Sequence, residues 1–553
     1  MQKFHKKSLP RPAAGCLAIS LIMAAAASPC PVWAAPPAAL GLVTPLGAMG
    51  FFGGVSEGVR LPKTTELLLS QANNNKAASN AKSAAMAYKE LLFLDGGEPA
   101  QASGSISVNQ SALPDPAKNP GSYTVKYAVA PTSATDPAAS VKRNITFGVN
   151  YRYNGNQVIL DYQPTAWTEA ITTAGGAYAL DPAHSHMGVS IIEDNTAGVT
   201  YYRGDISTVA VYTALSGPSN NAAAGQPNAS GPSARKTVTS AISGSFFGYI
   251  CAWSSAEVQV LDCSVSSSEG WQMQYQLRPS ANSVKTMQYA ANEPTAISFP
   301  GNYKEITQNK SGLLYNANTM PLRFYDAPKS GGVTIPSANV FEQLPAPDLS
   351  YLKGHFAQAD IEKLFAMQVL DGEPGFYAPD QAMTRGQFVR ALVKAVKLPI
   401  TPPPAQPKNA KQPVITLAFP DITPDRPDYP YIMAAYHNGI AVGNGDGVFR
   451  ADSPVSRQEA MTMIVRAIGL LALAPNPTPQ TYFVDDGQIS PSLKRGLYAA
   501  AGLGLVRGDS DGNINPGKSV TKGESAALLN RMIDYMRGGL AADYSQNVAN
   551  FAG

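Results

Sequence analysis

Charged residues are scarce in this chain, and its small positive excess is confined to the first residues. Only 15% of the 553 residues are Asp, Glu, Lys or Arg, and the formal net charge is +3. Four basic residues stand at the start of the chain: Lys3, Lys6, Lys7 and Arg11. Without these four cations the net charge falls from +3 to −1, so the composition gives no support for a nucleic-acid partner.

Long apolar runs are also lacking. The run Cys16–Ala27 is shorter than the ~20 residues that a membrane-spanning helix needs. Basic residues precede this run, and Val32 and Ala34 occupy the −3 and −1 positions of a cleavage site after Ala34. The sequence therefore predicts a signal peptide over residues 1–34. The mature chain is expected to be exported, to have no membrane span, and to be soluble or attached to the cell surface.

Cysteine is rare as well. Two of the four cysteines lie inside the predicted signal peptide, which leaves Cys251 and Cys263 in the mature chain. Their sequences, SFFGYICAW and EVQVLDCSV, are typical of neighbouring strands. In an exported protein a disulfide between them is the favoured interpretation. A catalytic thiol is the less favoured alternative, because no histidine is near either cysteine.

Motifs of catalysis and metal binding are missing too. The sequence between residues 91 and 326 contains no spaced acid–base pair, no G-x-S-x-G and no phosphate-binding loop. His184 and His186 share one face of a predicted strand but have no clear third ligand. Asp509–Asn513 resembles a calcium loop without the required glycine and acid, and we interpret it as a turn. We expect no enzymatic activity, no cofactor and no metal.

The first half of the mature chain has the texture of β-structure. We predict a loose, partly helical segment over residues 35–90, a β-rich, sandwich-like ectodomain over 91–326 and a linker over 327–347. The clearest hairpin is centred on Asn154-Gly155, a pair that suits a type I′ turn. A second hairpin is predicted within VTYYRGDISTVAVYTAL, which begins at Val199.

The last two hundred residues contain an internal repeat. Three short turns are anchored on Gly372, Gly443 and Gly508, and a basic residue follows each glycine after 13 or 14 positions. Apolar residues then recur at helical spacing, which predicts helices that pack on one face. The predicted boundaries are repeats over 348–398, 419–471 and 482–537, with a Pro-rich linker over 399–418, a second linker over 472–481 and a tail over 538–553.

Each repeat helix begins with a capping box, in which a hydroxyl and a carboxylate or amide satisfy backbone N–H groups. The three pairs are Thr384/Gln387, Ser456/Glu459 and Thr521/Glu524. The first helical residue is basic in every repeat, although the positive end of a helix dipole disfavours cations there. These residues are Arg385, Arg457 and Lys522.

At this point the chain resembles the S-layer homology family, in triplicate. The resemblance rests on FPDI at Phe419–Ile422, on FVDD at Phe483–Asp486, and on the T-R-x-E-like motif of every repeat. It implies a pseudo-threefold helical trimer that attaches proteins non-covalently to cell-wall carbohydrate. The implied ligand is a pyruvylated secondary polymer or a modified peptidoglycan, and the implied location is the cell wall of a secreted surface protein.

The predicted wall-polymer site follows from this resemblance. Each basic residue is expected to hold an acidic sugar substituent in a groove between repeats, and a salt bridge to Asp371, Asp446, Asp509 or Asp511 is the alternative. Lys522 lacks the bidentate geometry of arginine, and we rank the groove of the second repeat highest. The full predicted set is Arg385, Arg457, Lys522, Gly372, Gly443, Gly508, Asp421 and Asp485.

The sequence thus favours a non-enzymatic cell-surface protein with a β-rich ectodomain and a wall anchor. Assembly of copies into a surface layer is a further partner prediction. Two alternatives stay open: a wall-anchored enzyme with its site in the β-rich region, and an adhesin. A close acidic pair in a cleft would favour the enzyme, and a flat exposed aromatic patch would favour the adhesin.

Overall fold

The structure of the chain, a computed structural model, describes most of the residues that follow the predicted signal peptide. The described residues are 51–58, 61, 63, 85–110, 116–131, 139–215, 236–290, 301–319, 330–336, 339–400, 418–443 and 445–543. The predicted signal peptide over 1–34 and most of the predicted Pro-rich linker over 399–418 lie outside these residues. Among the described residues, no helix is both long and apolar enough to cross a membrane.

The amino-terminal half of the described chain is built from strands. Their bounds are β1 Val55–Ser56, β2 Met86–Leu92, β3 Ala100–Gln110, β4 Gly121–Pro131, β5 Ala139–Asn154, β6 Gln157–Thr173, β7 Gly176–Leu180, β8 His186–Asn195, β9 Val199–Ala214, β10 Thr237–Cys251, β11 Ser254–Ser267, β12 Gln272–Ala290, β13 Asn302–Thr319, β14 Ser330–Ile335 and β15 Val340–Pro345. The predicted β-rich region is therefore confirmed, and it extends over residues 55–345.

These strands form one antiparallel sheet of 15 strands, in place of the two packed sheets of a sandwich. Strands that follow one another in the chain mostly pair, with β7 and β8 both lying between β6 and β9. Along β5 the side chains alternate, so that Val141, Ile145 and Phe147 are buried while Lys142 and Asn144 face solvent. One face of the sheet is thus a continuous apolar surface that must be covered.

The sheet covers this face by curling around a segment of its own chain. Phe51 packs against Phe147, with 4.7 Å between ring centres, while a Cβ placed on Gly58 would lie 3.5 Å from that of Ala281 on β12. Strands β5 and β12, distant in the sheet order, therefore touch the same eight residues. Residues 51–58 belong to this core, although the sequence predicts a loose segment over 35–90.

Turn chemistry explains one predicted hairpin and corrects the other. β5 and β6 join through Gly155 and Asn156, because Asn154 already pairs with Gln157. Gly155 has a φ of 61° and the φ of Asn156 is not positive, which fits a type II′ turn in place of the predicted type I′ turn. The second predicted hairpin is instead the single strand β9. Gly204 lies within it because a Cβ there would collide with the carbonyl oxygen of Ser190 and the ring of Phe246 on the neighbouring strands. The glycine marks close strand approach rather than a turn.

The predicted linker over 327–347 contains two strands of the sheet. β14 and β15 both pair with β13, and Ala346 donates its N–H to the carbonyl of Gly301 at 3.1 Å. Leu344 and Leu349 are buried on either side of this connection. Gly and Pro residues in this stretch therefore punctuate short edge strands, which sequence alone does not separate from a linker.

Helices follow the sheet. Their bounds are α1 Gln358–Ala366, α2 Arg385–Ala395, α3 Tyr429–His437, α4 Arg457–Ala467, α5 Pro491–Gly502 and α6 Lys522–Asp534, with a π-helical turn over Tyr535–Gly539. The predicted apolar stripes are buried, as expected of helices that share a core. Their members are Phe388, Ala391, Leu392 and Ala395 in α2 with Val396 just after it, Ala460, Met463, Ile464 and Ala467 in α4 with Ile468 just after it, and Ser525, Leu528, Leu529, Met532 and Ile533 in α6.

The predicted disulfide is wrong. Cys251 and Cys263 are both free and buried. Cys263 on β11 lies opposite Ile242 of β10, whereas Cys251 ends β10 and lies opposite Val199 of β9. Two strands can be neighbours while their cysteines stand far apart in register, and the sequence predicted only the neighbours.

Candidate functional site

Three backbone hydrogen bonds tie the repeats together around one axis. The N–H of Met383 donates to the carbonyl of Val520 at 2.9 Å, that of Val520 to Val455 at 3.0 Å, and that of Val455 to Met383 at 3.0 Å. Each of these residues directly precedes a capping box. The ring of contacts is the pseudo-threefold arrangement expected of the repeats, and it brings the three basic helix starts together.

The first N–H of each repeat helix is already used. The N–H of Arg385 donates to the carbonyl of Ser453 at 2.8 Å, that of Arg457 to Lys518 at 2.9 Å, and that of Lys522 to Gln381 at 2.8 Å. The next N–H of each helix follows the same pattern: Gly386 to Ala451, Gln458 to Pro516 and Gly523 to Pro379. The helix ends therefore offer no free backbone donors to an anion, and any anion must be held by side chains.

The capping boxes are present in all three repeats. Thr384 accepts the N–H of Gln387 at 3.3 Å and donates its own N–H to the side-chain oxygen of Gln387 at 3.1 Å. Thr521 and Glu524 make the same reciprocal pair at 3.1 and 2.9 Å. In the second repeat the backbone N–H of Ser456 donates to Glu459 at 2.9 Å, and its hydroxyl donates at 2.6 Å.

Arg385 is occupied by an intramolecular ion pair. Its Nη1 donates to Oε1 of Glu459 at 2.7 Å and its Nη2 to the carbonyl of Val442 at 2.6 Å. The guanidinium also lies 4.9 Å from the ring centre of Phe449. Only 7% of the side chain is exposed. Burial lowers the pKa of Arg385, and the charge of Glu459 opposes this shift. The salt-bridge alternative holds for this residue, with the capping carboxylate of the next repeat instead of a loop aspartate.

Lys522 makes fewer polar contacts than Arg385. Its Nζ donates to Oε1 of Gln381 at 2.6 Å and lies 5.6 Å from the ring centre of Tyr377. The position that corresponds to Glu459 is here Gln387, which carries no charge. Among the described residues, no carboxylate forms an ion pair with Lys522. The ammonium group therefore has one hydrogen-bond acceptor and one aromatic ring beside it, and no counterion within the described part of the chain.

Arg457 has the fewest contacts of the three. Its Nη2 donates to the carbonyl of Arg507 at a long 3.4 Å, and its Nε finds no partner within the described chain. The corresponding capping acid, Glu524, pairs instead with Lys518 at 3.1 Å. The N–H of Asn513 is the main reason that the pKa of Asp509 is below its usual value, and the charge of Arg457 contributes more weakly.

One position that the sequence reasoning missed explains these differences. Eight residues before the basic residue of each repeat stand Tyr377, Phe449 and Ile514. The ring of Tyr377 lies beside Lys522 and that of Phe449 beside Arg385, and by the same cyclic order Ile514 corresponds to Arg457. An aromatic face attracts a cation, whereas an aliphatic side chain does not. The constant spacing was visible in the sequence, but only the cyclic order of the repeats assigns each side chain to its cation.

The predicted glycines and aspartates serve the loops. Gly372 has a φ of 97°, while a Cβ on Gly443 would lie 3.0 Å from the ring of Phe419. A Cβ on Gly508 would lie 3.0 Å from the backbone of Gly512. These glycines fit a turn and two close approaches within their own repeats.

Asp421 and Asp485 hold the loops that lead to the next helix. Asp421 accepts the N–H groups of Phe449 at 2.9 Å and Arg450 at 2.6 Å. Asp485 accepts those of Ile514 at 2.8 Å and Asn515 at 2.7 Å. Both oxygens of each carboxylate accept a backbone N–H group, which gives these residues a structural role. Their contact with a ligand stays a prediction.

Comparison with known proteins agrees with this geometry. The S-layer homology domain model matches residues 352–389, 418–461 and 482–526. An endoglucanase of Bacillus sp. (strain KSM-635) is 25% identical over 31% of this chain and 17% of its own length. Exoglucanase XynX of Acetivibrio thermocellus is 25% identical over 33% of this chain and 16% of its own. An amylopullulanase of Thermoanaerobacterium thermosulfurigenes is 25% identical over 33% of this chain and 9% of its own length.

The chain spans less than a fifth of the length of each of these relatives, and the shared part is about a third of the chain. The similarity to them therefore concerns a part of each protein. The repeat helices, the closed ring of backbone contacts and the family match concern the same residues. The carboxy-terminal part of this chain contains three S-layer homology domains, which imply attachment at the cell surface or cell wall.

Proposed function

We propose that the chain is a non-enzymatic structural protein of the cell surface, held on an acidic wall polymer by the grooves that contain Arg457 and Lys522. The observation that carries this proposal is the state of Arg457, whose guanidinium is partly buried and has no carboxylate partner within the described chain. A guanidinium with one long hydrogen bond and no direct carboxylate partner keeps donors that an acidic ligand can use.

The grooves differ in the ligand that they favour. Arg457 offers the two-pronged geometry that matches a carboxylate, such as the one of a pyruvate ketal, whereas Lys522 offers a single ammonium beside the face of Tyr377. The groove of Arg385 is filled by Glu459. When two weak grooves bind the same polymer strand, binding of the first raises the effective concentration of polymer at the second. Loss of either groove should therefore weaken attachment strongly.

The test is sedimentation of the full mature chain with purified wall sacculi. Arg457→Ala is expected to lower the affinity about tenfold, because a charge-assisted hydrogen bond is lost. The melting temperature should stay near that of the wild type, since the residue makes one long hydrogen bond. Lys126→Ala, which removes an exposed cation from β4, is the matched control and should bind as the wild type does.

Arg385→Ala separates a structural arginine from a binding one. It leaves Oε1 of Glu459 and the carbonyl of Val442 without their donor, which should cost about 1–3 kcal/mol of stability. Its affinity for sacculi is expected to change less than that of Arg457→Ala. The proposal would be contradicted if Arg457→Ala pelleted with sacculi as the wild type does. It would also be contradicted if the wild type pelleted equally well with sacculi stripped of their acidic polymer.

A wall-anchored polysaccharide hydrolase is the second candidate, because the relatives are named endoglucanase, exoglucanase and amylopullulanase. Glu90 and Glu169 do form a close acidic pair in the sheet. Both bind Arg143 inside the core, however, and the ring of Phe52 covers the guanidinium at 3.5 Å. Hydrolysis of β-glucan or starch by the full chain, abolished by Glu169→Gln, would favour this candidate.

A further inference from the structure

The carboxyl ends of the three core helices all receive hydrogen bonds from the sheet. Nε1 of Trp253 donates to the carbonyl of Ala395 at the end of α2, at 2.9 Å. The N–H of Gly198 donates to Ala467 at the end of α4, at 2.7 Å. Further donors at these ends are Tyr201 to Ile468, at 2.9 Å, and Ser254 to Met536 after α6. The last carbonyls of a helix lack intrahelical partners, so these donors satisfy groups that would otherwise need water.

The contact between the sheet and these helices is packed as tightly as a protein core. Trp253 is fully buried, and it belongs to the same apolar cluster as the stripes of the repeat helices. A Cβ on Gly198 would lie 2.9 Å from the carbonyl oxygen of Ala467 and 3.0 Å from Cβ of Val396. On the helix side, a Cβ on Gly469 would collide with Thr196. Glycine on both sides allows the two surfaces to meet.

The charges at this contact have the sign that helix ends favour. Two cations lie beside the ring of Trp253, Arg537 at 4.9 Å and Lys285 at 5.8 Å, and the side chain of Lys397 lies at 5.7 Å. The carboxyl end of a helix carries partial negative charge, and the face of an indole is negative as well. Glu305 pairs with Lys285 at 3.0 Å. The contact thus combines apolar packing, directed hydrogen bonds and charge complementarity.

The segment that connects the sheet to the repeats is held in place by buried side chains and a backbone hydrogen bond. From Val340 to Lys397 the chain runs through β15, a short 3₁₀ turn over Ser350–Leu352 and the first repeat. Leu344, Leu349 and Leu352 are buried along it, and Ala346 is hydrogen-bonded to Gly301. A flexible tether would instead leave such a segment exposed and unpaired.

We infer that the carboxyl end of the S-layer homology trimer is a docking surface for the sheet of the same chain, so that the two parts form one cooperative unit. The repeat helices have 11, 11 and 13 residues, which puts about 16–20 Å between their ends. The grooves lie at the amino ends and the sheet at the carboxyl ends. If the proposed function holds, the sheet is therefore held away from the wall at a fixed angle.

Unfolding of the full mature chain tests the docking without any wall ligand. The wild type is expected to melt in one calorimetric transition, and Trp253→Ala in two. Limited proteolysis of Trp253→Ala should cut between residues 339 and 357 at least tenfold faster. Trp271→Ala removes a tryptophan that is also buried, with 7% exposed, from the other apolar cluster, and it should lower the melting temperature while keeping one transition.

A milder variant covers the case in which Trp253→Ala does not fold. The double variant Tyr201→Phe with Ser254→Ala removes two donors to the helix ends with little change of volume. It should lower the melting temperature and speed proteolysis several-fold. Two independent transitions in the wild type, or wild-type behaviour of both variants, would overturn the docking. Loss of sacculus binding by the wild type would overturn only the proposed function.

Maleimide labelling on sacculi tests the orientation. The native cysteines are buried, so Lys126→Cys on β4 and Lys518→Cys beside the groove of Arg457 supply the reactive thiols. Binding should slow the labelling of Lys518→Cys at least fivefold and leave that of Lys126→Cys unchanged. Equal protection of both positions would contradict a sheet that is held away from the wall.

Discussion

At the scale of single residues, the main feature is a cluster of charged side chains buried inside the sheet. Arg143 lies fully buried between Glu90 and Glu169, with four hydrogen bonds of 2.5–3.0 Å. Tyr88 donates to Glu90 at 2.7 Å, and Trp167 donates to Glu169 at 3.2 Å. Such a cluster is stable only when every group is paired, because an unpaired charge in a core is far more costly than a pair.

Arg143→Met should therefore destabilise the protein by about 3–5 kcal/mol, since it leaves two carboxylates buried without their cation. The measurement is urea unfolding followed by tryptophan fluorescence. Arg152→Met is the matched control, because Arg152 lies exposed on the same strand. The control should stay within about 0.5 kcal/mol of the wild type. A small effect of Arg143→Met would mean that water reaches the cluster.

At the scale of elements, each repeat helix is fixed at both ends. A capping box and the carbonyls of the next repeat hold its amino end, while the sheet holds its carboxyl end at Ala395, Ala467 or Met536. Short helices are marginal on their own, and tertiary contacts supply most of their stability. The sequence reasoning found the amino ends, because capping boxes are local, and it missed the carboxyl ends.

Thr521→Ala should cost about 1 kcal/mol, because the N–H of Glu524 loses its acceptor. The variant should still bind sacculi once its lower stability is allowed for, since the threonine has a capping role only. Ser510→Ala, in the exposed loop before α6, serves as the control and should be neutral. Chemical denaturation and sedimentation of both variants provide the comparison. Loss of binding at full stability would assign Thr521 to the groove.

Lys397, just beyond the end of α2, makes the docking contact sensitive to pH. Burial, with the charges of Lys285 and Lys394, lowers the pKa of Lys397 to about 7, while Glu305 and Glu342 oppose the shift. In the unfolded chain the side chain of Lys397 stays protonated up to pH ~10.4, whereas in the folded chain it loses its proton above about pH 7. The free energy of unfolding should therefore rise with pH between these values, by about 1 kcal/mol per unit.

Lys397→Met should remove this slope and raise the stability most at pH 7 and below, where the wild type must bury a charged ammonium. Urea unfolding of both proteins at pH 6.5, 8 and 9 measures the difference, which should shrink as the pH rises. Exposed Lys353→Met is the control for loss of a lysine. A difference independent of pH would show that Lys397 stays protonated over this range.

At the scale of the whole molecule, the repeats and the sheet share one apolar cluster. Val199, Tyr249 and Trp253 of the sheet belong to it, as do Val396 and Ile468 of the repeats. A second cluster fills the curled sheet and includes the segment 51–58. The boundary between cores therefore lies within the sheet, and it does not coincide with the boundary between strands and helices.

The limits of prediction follow from the range of the contacts. The repeats, their capping boxes and their apolar stripes are periodic and local, so the sequence by itself determined them, together with the hairpin at Asn154-Gly155. The tertiary structure decided which partner each cation has, since Arg385 meets Glu459 across 74 residues. It also decided that Trp253 meets Ala395 across 142 residues. Such contacts depend on strand register and on the cyclic order of the repeats, and no local sequence pattern reveals either of these.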